Sequence, residues 1–456
     1  MKTILRHYKN RLLFSIAILC CTAVNAQPTA AYEMMVAGVK VIVQPSTNEI
    51  VEIQTIIKGG VQNYTTATQG IESLAMTALT ECGTVNDTKN AFKNKLDKVG
   101  GSISADAQMD YASINLNCIK SDFDIVWALY ADAITKPLFD GKDFARIKQD
   151  AINNLKAQES EPDYAIDKMA RLTAFTGTDY AKSPEGTTAT IPALTAVATK
   201  AYYQSILTKS RIFIVVVGEI EKPILEQKIA ALLALVPDGK PFVQKKSAFQ
   251  PKTNAFKAQK TALATNYIEG FASGPAPSAT DFNAYTIAMR ILNQRHFLEV
   301  RSKNGLSYAP GAWFNQGVNS NAALYVTTTE PDKYIAVAKA MVAKAKKEGF
   351  TEAEVKNMKT SYITRLFYQQ ETNSAQAAAF AQNEVLHNNW KRAVTLNEDF
   401  KNVSLTDVNN AFKKYFGNIS WVYRGDPAKV TSALFTAPEN KLPVLPNNTK
   451  INKPKD

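Results

Sequence analysis

Landmarks in the first half of this chain return, in order, in the second. The run Leu194-Thr195-Ala196-Val197, a Tyr-bearing helix and a strand ending at Gly218 recur as Leu405-Thr406-Asp407-Val408, the stretch Phe412 to Tyr415 and a strand ending at Gly425. Ile147-Lys148 through Leu155 to Gln158-Glu159 recur as Val355-Lys356 through Leu366 to Gln370-Glu371. The segment GSISADAQMDYASINLNCI has its counterpart in GLSYAPGAWFNQGVNSNAALYVTTT. At 456 residues the chain outgrows a single core,, and two copies are too few for a solenoid. The duplication therefore points to two α+β halves of about 200 residues each.

Periodicity fills in the copies. Val39 to Gln44 and Ile50 to Ile57 alternate as strands around a Pro45/Asn48 turn,. Ile71, Leu74, Ala78 and Leu79 fall on one face of a helix that Gly83 closes,. A further helix to Val99 leads into a hairpin whose strands carry Ile103, Ala105, Ala107 and Met109, then Ile114, Leu116 and Cys118. Helices are expected over Phe123–Ala133, Lys142–Gln158, Tyr164–Thr173 and Leu194–Leu207, with a polar loop from Thr176 to Thr188 and a buried strand Ile212–Val217. The stretch from Leu233 to Phe256 is rich in Pro, Lys and polar residues and reads as a linker,.

The first 26 residues read as a secretory signal: basic residues Lys2, Arg6, Lys9 and Arg11, an apolar run from Leu12 to Val24, and the small-residue exit Val24-Asn25-Ala26,. No other stretch approaches the ~18 uninterrupted apolar residues of a membrane helix. Removing the leader lowers the formal charge from +12 to +8. The remaining Lys residues are scattered among acids, without the basic stripe that nucleic-acid binding requires. Of four Cys only Cys82 and Cys118 remain, too far apart for C-x-x-C chemistry,. An oxidising compartment permits a disulfide between them, but the sequence does not decide it.

Two histidines also remain, His296 and His387, and neither sits in H-x-x-E-H or H-E-x-x-H. No helix can therefore offer two imidazoles to one zinc ion. G-x-S-x-G, G-x-x-x-x-G-K-[ST] and G-x-G-x-x-G are absent as well. His296 reads as a surface or packing residue and His387 as a helix terminus or loop. Glu72 and Glu81, as isolated helical carboxylates, are expected to be solvated. Tyr202-Tyr203 and Tyr415-Phe416 are expected to pack in the cores.

The order of GVKVIVQPSTNEIVEIQTIIKGG, the helix after Gly70 ending in Gly83-Thr84, DYAKSPEGT, IFIVVVGEI and FLEVRSKNGLSYAPGAWF resembles the M16 (pitrilysin/insulinase-like) metallopeptidase family over nearly all the chain beyond the leader. The resemblance implies two homologous halves, each a mainly antiparallel sheet packed against helices. Together with the composition, it implies a leader (1–26), an N-terminal domain (27–240), a linker (241–258), a C-terminal domain (259–436) and an exposed, Pro- and Asn/Lys-rich tail (437–456). Peptide-cutting members carry H-x-x-E-H on the first long helix and a later Glu as third zinc ligand. Registered on Gly70, Ser73, Met76 and Thr77 stand at those positions; registered on Gly83-Thr84, Leu74, Thr77 and Ala78 do. The later Glu falls on Asn153 or Asn154. Neither register supplies a ligand.

A second family feature is retained: Arg301 and Tyr308, in VRSKNGLSY, match an Arg/Tyr pair that hydrogen-bonds bound peptide. The resemblance implies an exported, periplasmic or extracellular, non-catalytic subunit without a cofactor of its own. It would contribute peptide binding through Arg301 and Tyr308 to a heterodimer whose H-x-x-E-H-bearing partner holds zinc. Arg301 is expected near a helix end and Tyr308 at the start of a strand. The bland alternative pairs Arg301 with Glu299 or another acid and packs Tyr308 in the strand; the functional alternatives are a scaffolding homologue and a self-sufficient peptidase with an unfamiliar site.

Overall fold

The computed structural model describes residues 30–246 and 249–438. The leader and all but the first two residues of the tail lie outside the described residues. The N-terminal half holds strands β1 (Tyr32–Val36), β2 (Val39–Gln44), β3 (Ile50–Lys58), β4 (Ser102–Ala107), β5 (Tyr111–Ile119) and β6 (Ile212–Val217) in the order β1-β2-β6-β3-β5-β4. The C-terminal half holds β7 (Ala255–Lys260), β8 (Asn266–Ser273), β9 (Gly311–Asn315), β10 (Asn321–Thr328) and β11 (Ile419–Gly425) in the order β7-β11-β8-β10-β9. Leaving out β1, one order maps onto the other strand for strand. Each sheet has a single parallel pair at the same place, β2 with β6 and β7 with β11, and is otherwise antiparallel.

The helices of the N-terminal half are α1 (Ile71–Glu81), α2 (Lys89–Lys98), α3 (Phe123–Thr135), α4 (Gly141–Ser160), α5 (Pro162–Ala174), α6 (Ala196–Ile206) and α7 (Lys222–Leu233). The C-terminal half adds α8 (Phe282–Phe297), α9 (Pro331–Glu348), α10 (Glu352–Tyr368), α11 (Asn373–His387), α12 (Arg392–Lys401), α13 (Leu405–Tyr415) and α14 (Ser432–Thr436). Their ends follow local chemistry. Thr351 with Glu354 and Ser404 with Asp407 close capping boxes at α10 and α13,. Gly70 starts α1 at φ 89°, where a Cβ would stand 2.4 Å from Ile191 Cδ1, so only glycine fits,.

Each half lends a helix to the other. Helix α5 packs across β8 and β11, and α11 packs across β3 and β6. Ala377, Phe380, Ala381, Val385 and Leu386 of α11 thereby join the N-terminal core. At the head of α11, Asn373 exchanges amide hydrogen bonds with Asn48 (2.8 Å each way) and donates to the Ile50 carbonyl at 2.7 Å. Lys40 reaches Glu384 at 2.6 Å. The two hairpin turns also meet: Asp110 accepts from the Tyr180 hydroxyl and from Val318 N–H at 2.9 Å, while Asn319 N–H donates to Tyr180 at 3.0 Å.

Two differences from the sequence reading stand out, and one open question closes. Strand β7 begins at Ala255, inside the stretch read as linker. The segment before it is fastened down, with Gln62 and Lys245 exchanging hydrogen bonds at 2.7 and 2.8 Å. Strand β1 went unread because its alternation is short. Cys82 and Cys118 are both buried and both free; burial pushes their thiols up to about 12 and about 11,.

Candidate functional site

Helix α1 lies against α4 and β4. Ser73 and Thr77, four residues apart, share its partly exposed face, and Met76 is buried,. The Thr77 hydroxyl donates back to the Ser73 carbonyl at 2.9 Å. On α4, Asn153 accepts from Gln149 at 3.0 Å, and Asn153 and Asn154 are exposed. In the other register Leu74 and Ala78 are buried in the core. Zinc takes imidazole, thiolate or carboxylate; an engaged hydroxyl, a buried thioether and amides do not fit it. Among the described residues no group of three His, Cys, Asp or Glu could hold a metal ion.

The two carboxylates of α1 are not solvated as expected. Glu72 is wholly buried; its Oε2 accepts from the Tyr202 hydroxyl and from Asn63 (3.1 Å), while Oε1 has no partner. Burial outweighs those hydrogen bonds and lifts its carboxyl to about 7,. Glu81 is gripped by Lys93, Lys89 (3.0 Å) and Arg146 (2.7 Å). Burial works against its charge, but these three cations prevail and hold it at about 2. Neither environment was legible in the sequence, because Tyr202 and Arg146 lie 130 and 65 positions from the carboxylates they meet, and the nearer partners, Asn63, Lys89 and Lys93, stand on other elements or loops.

The aromatic pairs divide. Tyr203 and Phe416 are core residues, whereas Tyr202 serves Glu72 and the Tyr415 hydroxyl donates to Asp281 at 2.7 Å. His296 is a packing residue, wholly buried and 3.1 Å from the Tyr334 hydroxyl. His387 ends α11, its Nδ1 lying 2.6 Å from the Pro277 carbonyl. Burial depresses both imidazoles, to about 3 and about 4, so both are neutral near pH 7.

Arg301 sits in a π-helical turn, Leu298–Lys303, that prolongs α8. Gly305, at φ 59°, then reverses the chain,. Tyr308 lies in the loop three residues before β9, not at the start of a strand as expected. The sequence reading placed the turn correctly but did not allow for the Ala309-Pro310 step, where proline cannot donate to a ladder. Arg301 Nη1 donates to the Tyr308 carbonyl at 2.9 Å. The guanidinium is sandwiched, 4.0 Å from the Tyr308 ring centre and 5.0 Å from that of Phe297. Glu299, the acid of the bland reading, is taken by Lys303 at 2.7 Å. The Tyr308 side chain is 79% exposed. The pair thus presents a phenol and the unused guanidinium N–H groups, all donors suited to a peptide carbonyl. Phe297 was missed, although its spacing of four residues from Arg301 on one helix could have revealed it.

Comparison with known proteins agrees with this architecture. Residues 40–188 match a family profile described as insulinase (peptidase family M16), and residues 193–362 match one described as the peptidase M16 inactive domain. An uncharacterized zinc protease of Rickettsia felis is 20% identical over 352 residues, covering 74% of this chain and 83% of that protein. The uncharacterized zinc protease YmxG of Bacillus subtilis is 18% identical over 340 residues, covering 73% and 83%. Among solved structures, a peptidase M16 inactive domain from Pseudomonas fluorescens superposes with a TM-score of 0.79 at 18% identity, covering 87% of this chain and 98% of that one. The periplasmic protease PqqL from Escherichia coli gives 0.74 at 15% identity, over 87% of this chain and 46% of its own. With two M16 profiles spanning most of its length in the order that the duplicated sheets require, the chain belongs to the M16 peptidase family.

Proposed function

We propose that this chain is an exported, non-catalytic subunit of an M16-type zinc peptidase, and that it holds substrate while an H-x-x-E-H-bearing partner holds the metal. The observation that carries the reading is a contrast between the halves. The α1 and α4 positions offer zinc no ligand, yet Arg301 and Tyr308 are stacked on each other and hydrogen-bonded, with Tyr308 open to solvent. Positioning and metal chemistry can reside on separate chains, because aligning a peptide against a reactive centre needs no bond to the metal. Family membership, a periplasmic protease among the structural relatives and the secretory-type leader support the reading.

The test is reconstitution with an H-x-x-E-H-bearing M16 homologue from the same cell envelope. The mixture should cleave a quenched fluorescent peptide, and this chain alone should neither cleave it nor retain stoichiometric zinc. Each hydrogen bond from a charged donor contributes roughly 1.5–3 kcal/mol, so Arg301→Ala should lower kcat/KM of the mixture by about ten- to a hundredfold. Tyr308→Phe should have a smaller effect. Full activity of the double variant would sink the substrate role and leave a scaffolding subunit. Tightly bound zinc with activity in the isolated chain would overturn the division of labour.

A further inference from the structure

Strand alternation sends Glu269 of β8 to the same side as Tyr267 and Phe271, the side on which the N-terminal half lays α5,. Its side chain is 1% exposed, and Oε1 has no partner. A carboxylate buried without hydrogen bonds is costly, and a neutral carboxyl much less so. The duplication sharpens the contrast. Glu269 lies opposite Val422, three residues before Gly425, and Gln54 of β3 lies opposite Val215, three before Gly218. The two positions are counterparts, each on a strand covered by the helix that the other half lends. One copy carries an amide, which donates to Glu52 at 3.2 Å. The other carries an acid.

The groups around Glu269 give its charge no relief. Helix α5 brings Asp163 and Asp167, four residues apart on one face,. Asp163 accepts from the Tyr325 hydroxyl of β10. Arg171, the cation that Asp167 feels, spends its guanidinium on the Lys182 carbonyl at 2.7 Å, and Glu185, which Asp167 also feels, accepts from Ser183 at 2.6 Å. Arg424 of β11 is turned to Gln259 at 3.0 Å and to the Pro162 carbonyl at 3.4 Å. Tyr334 of α9, in the core on the other face of the sheet, is held 3.1 Å from His296. Burial raises the Glu269 carboxyl well above the usual range, and Asp167 and Asp163 raise it further,.

Beside this contact a cleft of about 510 Å³ runs between the halves, walled by Tyr164, Asp167 and Arg171 of α5 and by Gln316 and Gln382. Asp163 and Asp167 are exposed, while Glu269 lies covered behind them.

We infer that Glu269 is a proton-operated latch between the halves: neutral, it lets α5 lie on β8; ionised, it drives α5 off the sheet and widens the cleft. The latch stands apart from the peptide-binding reading and needs no partner chain.

Freed from the sheet, Glu269 releases its proton near 4.5, the ordinary value for this side chain. Docking of α5 is therefore firmest below that pH. Above it docking weakens by up to about tenfold per pH unit, until the docked carboxyl ionises as well. Asp167 is raised in the same direction and adds a smaller share.

The experiment is hydrogen exchange read by mass spectrometry on the full chain at pH 5 and pH 7, corrected for the intrinsic effect of pH on exchange. Peptides from α5 are compared with peptides from α8, which packs on the other face of the same sheet, so that a change in global stability cancels,. Protection of α5 relative to α8 should fall about tenfold or more between the two pH values. Glu269→Gln should cut the fall to the share left by Asp167, and Glu269→Gln/Asp167→Asn should abolish it. Protection of α5 that follows α8 at both pH values overturns the latch. So does a fall that survives undiminished in Glu269→Gln, or one that Asp167→Asn alone removes.

Discussion

Burial keeps the Glu72 carboxyl protonated up to about pH 7 in the folded protein, whereas the unfolded chain releases that proton near 4.5. Between those values the native state binds the extra proton, so stability falls as pH rises through this window and is level above it. Glu72→Gln removes the titration while keeping an acceptor for Tyr202 and Asn63. It should therefore stabilise the protein at pH 8 relative to pH 5 by on the order of 2–3 kcal/mol, read as a pH-dependent gain in urea midpoint. An equal effect at both pH values would show that Glu72 is charged throughout. The same residue marks a limit of sequence reading. That Arg301 and Tyr308 meet was legible because a short motif holds both. The surroundings of Glu72 were not, since Tyr202 is 130 positions away and only the fold brings them together.

Helices and strands could be read largely from the sequence, because their signals are local: periodic faces, capping boxes, and glycines at forced turns. The exchange of α5 and α11 was not, since an amphipathic helix shows that it has a buried face but not which sheet buries it. Asn373 is the fastening point of α11, and without its amide both Asn48 and the Ile50 carbonyl lose a partner. Asn373→Ala should destabilise the chain by about 1–2 kcal/mol in equilibrium urea unfolding, the net worth of the hydrogen bonds that its buried amide makes to Asn48 and Ile50,. Val394→Ser, on the exposed side of α12, is the control and should stay within about 0.5 kcal/mol,. Equal costs at the two sites would mean that α11 is not anchored by its first turn.

At the scale of the whole molecule, the helix exchange makes the duplication more than a tandem array. Expressed alone, residues 27–240 lack the cover that α11 gives β3 and β6, and residues 241–456 lack α5 over β8 and β11. Each fragment should be insoluble or partly folded, and co-expression should restore a soluble complex; independent, cooperative folding of either fragment would contradict this. The copies differ at one margin. The N-terminal sheet continues past β2 to β1, whereas among the described residues its counterpart stops at β7, whose main chain faces outward along one side. That strand reads Ala-Phe-Lys-Ala-Gln-Lys, with both lysines exposed. Positive charge along an open ribbon discourages a second molecule from stacking on it. Neutralising Lys257 and Lys260, as acetylation would, removes that repulsion and leaves an open ribbon able to template head-on growth, so these two side chains guard the margin of the sheet,.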